Sequence, residues 1–271
     1  MNSKYPILLL FASVLSASAQ DGAKSFSPER DFISLHYDHA PDKDDGHSVA
    51  ADRTILQSMF GIEWIRLHTV AVSGTYGKNE KTFNSRSDAV MDAAWNGCGD
   101  WLAAHNDREA AVGQLVVLWT NTMRAGGDVW VKEGGQSDIT AAVLERIQQG
   151  SPALDTTTRV HVVQHSHWNE NQTTDAALAY TKKHSDYIRI RDANAYLNIE
   201  KGDAVFEKSA LQHPVYGPGW KAAFAYFDPK KRIDFSDTGE LMKILGLGEM
   251  SLQQFRKRFL ADSGQTSPNT R

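Results

Sequence analysis

One cysteine, Cys98, stands in 271 residues. A single thiol cannot close a disulfide within the chain, despite the oxidising compartment that export implies. Basic charge is scarce as well. The 29 Lys and Arg against 33 Asp and Glu leave a formal net charge of −4, with no basic block. That balance gives nucleic acid no electrostatic footprint. Long apolar runs are missing too: the N-terminal run Ile7-Leu8-Leu9-Leu10-Phe11-Ala12 is too short to span a bilayer, so no membrane partner is expected. Placed after Lys4 and before Ser16-Ala17-Ser18-Ala19-Gln20, that run instead completes a secretory signal peptide, with cleavage expected after Ala19. Residues 1–19 are therefore read as a signal peptide and the protein as secreted or periplasmic. No repeat or linker divides the remainder. Residues 20–262 read as one domain, with a polar, disordered tail over 263–271.

What the chain does have is one acidic, histidine-rich stretch, His36-Tyr37-Asp38-His39-Ala40-Pro41-Asp42-Lys43-Asp44-Asp45-Gly46-His47. It follows the apolar run Asp31-Phe32-Ile33-Ser34-Leu35, which reads as a buried strand. It precedes Ala51, Ile55 and Met59 at helical spacing. Asp38, Asp42, Asp44 and Asp45 repel one another, so a fold that gathers them needs positive charge between them. A hard divalent cation is the simplest source. The bland alternative is a solvated strand-to-helix loop.

The same alternation continues. Glu63 to Val70 alternates as a strand, and Ser73 to Asn79 reads as loop. Met91, Ala94, Cys98, Trp101 and His105 keep helical spacing, with Cys98 as a small core residue. Ala111, Leu115, Trp119 and Met123 mark a helix stopped by Gly126-Gly127. Asp128 to Lys132 reads as a strand with Gly134-Gly135-Gln136 as its exit, and Ser137 as the N-cap of a helix carrying Ile139, Val143 and Ile147. Arg159 to Gln164 and Asp186 to Ile190 are further strands, separated by a helix that Thr174 caps. Short helices around Leu241 and Phe255 end the pattern. Strand and helix alternate at least four times, which predicts an α/β fold with a mainly parallel sheet.

In such a sheet the strand exits share one rim. The acidic stretch, Gly134 to Asp138 and His165-Ser166-His167-Trp168-Asn169-Glu170 then converge, joined by Asp234 to Thr238. Asp38 to Asp45 resembles the N-terminal aspartate motif of the nucleoside hydrolase superfamily, Asp-x-Asp-Pro-Gly-x-Asp-Asp, with Asp38 on the first aspartate, Pro41 on the proline, and Asp44 and Asp45 on the closing pair. Gly134-Gly135 is similar to that family's second landmark, and Asp237 to its late calcium-binding aspartate. The run through Gly217-Pro218-Gly219-Trp220 and Ser236-Asp237-Thr238 looks closest to a secreted branch with cellulose-binding, nucleoside-hydrolase-like domains. The resemblance covers most of residues 31–247 and implies a Rossmann-like architecture.

It also implies chemistry. Calcium would be held by Asp38, Asp44, Asp45 and Asp237, and an N-ribosyl or other glycosidic bond would be hydrolysed. Asp44 or Asp38 is the expected base, and His165, His167 or Glu170 the proton source. Gln136, Trp168, Asn169 and Glu170 are expected to bind the sugar or nucleoside, Trp168 by stacking. Two departures oppose ordinary nucleoside hydrolysis: the family's second aspartate is Ala40 here, and the histidine before its late aspartate is Ser236. A second reading places zinc on His36, Asp38, His39, Asp42, His47, His165 and His167, as in a phosphoesterase or amidohydrolase-like enzyme, since imidazole suits transition metals. A third is a carbohydrate-binding protein that kept the fold and lost catalysis; seven tryptophans permit it.

Overall fold

The computed structural model describes residues 24–39, 43–78, 85–95, 97–99, 101–227 and 232–261. The expected signal peptide, Ala40, Pro41 and Asp42 of the acidic stretch, and the tail over 263–271 lie outside these residues. Six strands form the central sheet: β1 (Phe32–Tyr37), β2 (Thr69–Ser73), β3 (Leu102–Ala103), β4 (Val129–Gly134), β5 (Val160–Gln164) and β6 (Asp186–Arg189). Their order is β3-β2-β1-β4-β5-β6, and every pairing is parallel. The α/β expectation is met, including the parallel arrangement of residues 31–37, 128–132 and 159–164.

Helices cover both faces of a parallel sheet, so its strands are apolar almost throughout. Side chains alternate between the faces. Ile33, Leu35 and Tyr37 join one core with Ile55, Trp220, Phe206, Phe235 and Phe255. Phe32, Val129, Val131 and Val162 join the other with Leu115, Trp119, Ile139 and Val143. From β1 the chain builds outward to β3, then crosses back to lay β4, β5 and β6 on the other side. The direction of building therefore reverses between β1 and β4, and a crevice opens at the carboxyl ends of such strands.

Local expectations fail in three places. Glu63–Val70 is mostly the helix Ile62–His68, and β2 starts at Thr69. Trp64 lies between the rings of Phe60 and His68, with centroids at 4.2 and 4.9 Å, the four-residue spacing of a helix face. The second helical run ends at Trp95, because Gly97 and Gly99 take φ of 77° and 105°. Cys98, buried as expected, lies beyond that helix, and Leu102 forms β3. Ser137 and Thr174 precede their helices without making side-chain caps. Asp138 draws the Thr174 hydroxyl instead, at 2.5 Å.

Candidate functional site

Register brings the strand exits side by side. Tyr37 pairs with Ser73 on β2 and with Gly134 on β4, so Asp38, Gly74 and Gly135 begin adjacent loops. Backbone bonds tie these loops together. The N–H groups of Gly74 and Thr75 donate to the Tyr37 carbonyl at 2.8 and 3.0 Å, and Gln136 N–H donates to the Thr75 carbonyl at 2.7 Å. Gly135 is required here, since a Cβ would come within 2.7 Å of the Thr75 carbonyl oxygen.

Asp38, Asp44, Asp45, Asp237 and His165 all reach this rim and all are buried. Asp38 accepts a hydrogen bond from the Gln136 side-chain amide. Asp45 accepts from the His39 backbone N–H at 2.7 Å. Asp237, at the start of the helix Thr238–Ile244, accepts from Ser48 Oγ at 3.3 Å and lies 2.7 Å from His165 Nε2. Asp44 is hydrogen-bonded to Asp234. Two residues beside these groups have strained backbones: His39 at φ 54°, following Asp38, and Ser166 at φ 65°, following His165. Non-glycine residues held at positive φ concentrate at functional sites.

A group that the sequence reading missed lies beneath the acids. Lys132 is fully buried, with Nζ 3.7 Å from Asp52 Oδ2 and 4.1 Å from the centroid of the Tyr37 ring. Its signal was present: Lys132 follows Val129-Trp130-Val131 in a strand buried on both faces, so it could not reach water. The electrostatics follow from this placement. Burial, then the Asp38 and Asp237 carboxylates, push Asp45 well above the usual carboxylate range. Burial would raise Asp237 too, but the Lys132 ammonium and the His165 hydrogen bond outweigh it and hold that carboxyl below the usual range. Asp45 thus carries a proton toward an ionised Asp237. Burial opposes charge on His165, yet its bonds to Asp192 and Asp237 raise it to about 10. Glu240, raised by burial, accepts from the His165 backbone N–H at 2.8 Å.

Other expected residues do different work. Ser166 turns the chain after β5, so His165 points inward while His167 is 75% exposed, 3.5 Å from Glu170. The two do not face one side, as alternation on a strand would require. Glu170 is a charge hub, 2.6 Å from Lys182 and 3.3 Å from Arg189. Burial is outweighed there by Lys182, and Glu170 stays ionised, which unsuits it as a proton donor. Asn169 donates to the Gly134 carbonyl at 3.3 Å, and Gln136 accepts from Gly77 N–H at 3.1 Å, so both brace loops. Trp168 is 38% exposed and free to meet a ligand.

The histidines of the zinc reading disperse. His36 points to the other face of the sheet, stacked on Trp119, with Nδ1 3.0 Å from Glu133 and Nε2 2.9 Å from Ser34 Oγ. This Ser–His–Glu chain has the spacing of a nucleophilic triad, but all three residues are fully buried and form a core network. His47 packs between Phe224 and Phe227 and accepts from Asp234 N–H at 3.3 Å. His39 lies 2.8 Å from Ser73 Oγ, and burial, then Lys132, lower it to about 3, so it is neutral.

The calcium implied by the family resemblance needs several oxygens aimed at one point. These acids are turned otherwise: Asp38 to Gln136, Asp44 to Asp234, and Asp45 and Asp237 to each other, over a buried ammonium. Among the described residues no group of three or more His, Cys, Asp or Glu side chains is placed to hold a metal ion. The described residues, oriented in this way, do not fit the ion. No family model, no curated protein and no solved structure matches the chain.

Proposed function

We propose that the protein is an exported hydrolase of the nucleoside-hydrolase type, cleaving an N-ribosyl or other glycosidic bond by carboxylate acid–base chemistry. One observation carries the reading. Asp45 and Asp237, bonded to each other, lie buried beside Asp38 at the strand exits, where burial raises the proton affinity of Asp45 while Lys132 and His165 lower that of Asp237. A carboxyl whose environment raises its proton affinity is suited to act as an acid, and an ionised neighbour as a base. Asp45 gives its proton to the leaving group as the glycosidic bond breaks through an oxocarbenium-like state. Asp38, oriented by Gln136, takes a proton from the water that forms the new bond. His165 keeps its own proton and positions Asp237, so it is not the acid. Trp168 offers its exposed ring to the sugar or base. The signal-peptide pattern supports export; among the described residues no helix is long and apolar enough to cross a membrane.

The test sets purified protein against nucleosides and aryl glycosides, with Asp45→Asn as control. Wild type should turn over at least one class, and the variant should lose about 100-fold or more, the usual contribution of a positioned acid. Equal rates for both proteins on every substrate reject the proposal. A second reading, a non-catalytic sugar-binding protein on the same architecture, is favoured by one observation. Gln136 already engages Asp38 and Lys132 engages Asp52 beneath the site, as in a purely structural polar core. Equal oligosaccharide binding by wild type and Asp45→Asn, without turnover, supports that reading.

A further inference from the structure

We propose that the Lys132 ammonium takes the place of a divalent cation in this carboxylate centre, making the folded protein independent of metal. Nζ of Lys132 is enclosed by Asp52 Oδ2 at 3.7 Å, the ring of Tyr37 at 4.1 Å and the His36 carbonyl, to which it donates at 3.5 Å. Gly134 leaves the space for it: a Cβ there would strike Nζ and come within 3.0 Å of the Cβ of Asp237. The ammonium and the Asp237 side chain therefore pack on the same glycine. Asp52 is fixed in turn by the Tyr37 hydroxyl, which donates to it at 2.7 Å.

Carboxylates gathered out of water need a counter-charge at close range, and an ammonium is a compact point charge with three donors. Lys132 is built into β4 and cannot dissociate, so the counter-charge is present whenever the chain is folded. A divalent ion brought to Asp45 and Asp237 would meet a like charge packed on the same glycine as Asp237. The orientation of the acids fits this arrangement, since they bond to Gln136, Asp234 and one another rather than around a common point.

The experiment is a titration with calcium and with zinc by calorimetry, with thermal melts in chelator and in excess of each ion, on the purified wild type and on Lys132→Met. Wild type should show no binding heat and the same Tm in every buffer. Lys132→Met should melt lower in chelator and recover part of the loss in calcium, because its acids lack their counter-charge. Uptake of one equivalent of calcium or zinc by the wild type, with a rise in Tm, overturns the proposal whatever the variant does. So does a variant that melts like the wild type in chelator. If Lys132→Met does not fold, the wild-type titration decides alone. None of these readouts involves turnover, so the outcome is separate from the fate of the glycosidase reading.

Discussion

Nε2 of His165 stands 2.7 Å from Oδ1 of Asp237, joining the exit of β5 to the start of a helix 72 residues further along the chain. The bond connects two halves of the site that no local sequence rule could pair. Asp237 also compensates Lys132, so two buried cations share this carboxylate, Lys132 beside Asp52 and His165 beside Asp192. Removing one partner of a buried ion pair leaves the other uncompensated, at about 3–5 kcal/mol. Asp237→Asn should therefore lose stability on that scale, measured as a lower urea midpoint with an unchanged slope. A change under about 1 kcal/mol would show that His165 and Lys132 find other partners.

The histidines set a pH profile. His165 is raised from 6.5 to about 10, so the folded state holds more protons than the unfolded state in that interval. Its stabilisation is complete below about 6.5 and is lost as pH rises through about 10. His39 and His47 are lowered to about 3, chiefly by burial, and act in the opposite sense. There the unfolded state binds the extra protons, so stability falls as pH drops from 6.5 toward about 3. Chemical denaturation across pH should give a maximum near neutrality. His165→Gln should flatten the alkaline limb and leave the acid limb in place.

Gly135→Ala tests the tie between the strand exits. The added methyl would meet the Thr75 carbonyl oxygen at 2.7 Å and the Asp38 backbone nitrogen at 3.0 Å. Overpacking of this kind costs about 1–3 kcal/mol. Differential scanning calorimetry should show the loss, and Gln136 should release Asp38. Gly150→Ala, with nothing within 4 Å of the new methyl, is the matched control and should melt near the wild type.

How much of this could be read from the residues depends on the range of the physics involved. β1, β4 and β5 were legible because a strand buried on both faces announces itself as a short apolar run between polar turns, and the edge strand β6 by its β-branched and aromatic residues. The exits that meet at the rim followed from the parallel fold class. The run from Glu63 to Val70 misled because Trp64, Ile65 and Leu67 fit two periods at once, and only stacking on Phe60 and His68 reveals the helix. His165 and His167 looked alike until the positive φ of Ser166 turned one inward and the other to water. Lys132 was the costliest omission. Clustered acids do require positive charge, and the lysine in the neighbouring strand supplies it without an ion.

The distance along the chain between the partners of the Asp237 bonds carries a consequence for synthesis. Ser48 precedes Asp237 by 189 residues and His165 precedes it by 72. At about 5–20 residues per second, a ribosome takes roughly 4–14 s to pass from His165 to Asp237. Throughout that interval β1, β4 and β5 have emerged with Lys132 and His165 lacking their shared carboxylate. Lys132 then has Asp52 and His165 has Asp192, but the carboxylate that joins the two is missing until the last third of the protein has left the exit tunnel. Release of a chain that stops short of Asp237 would put this unfinished edge into the cell, where it becomes a substrate for chaperones and proteases.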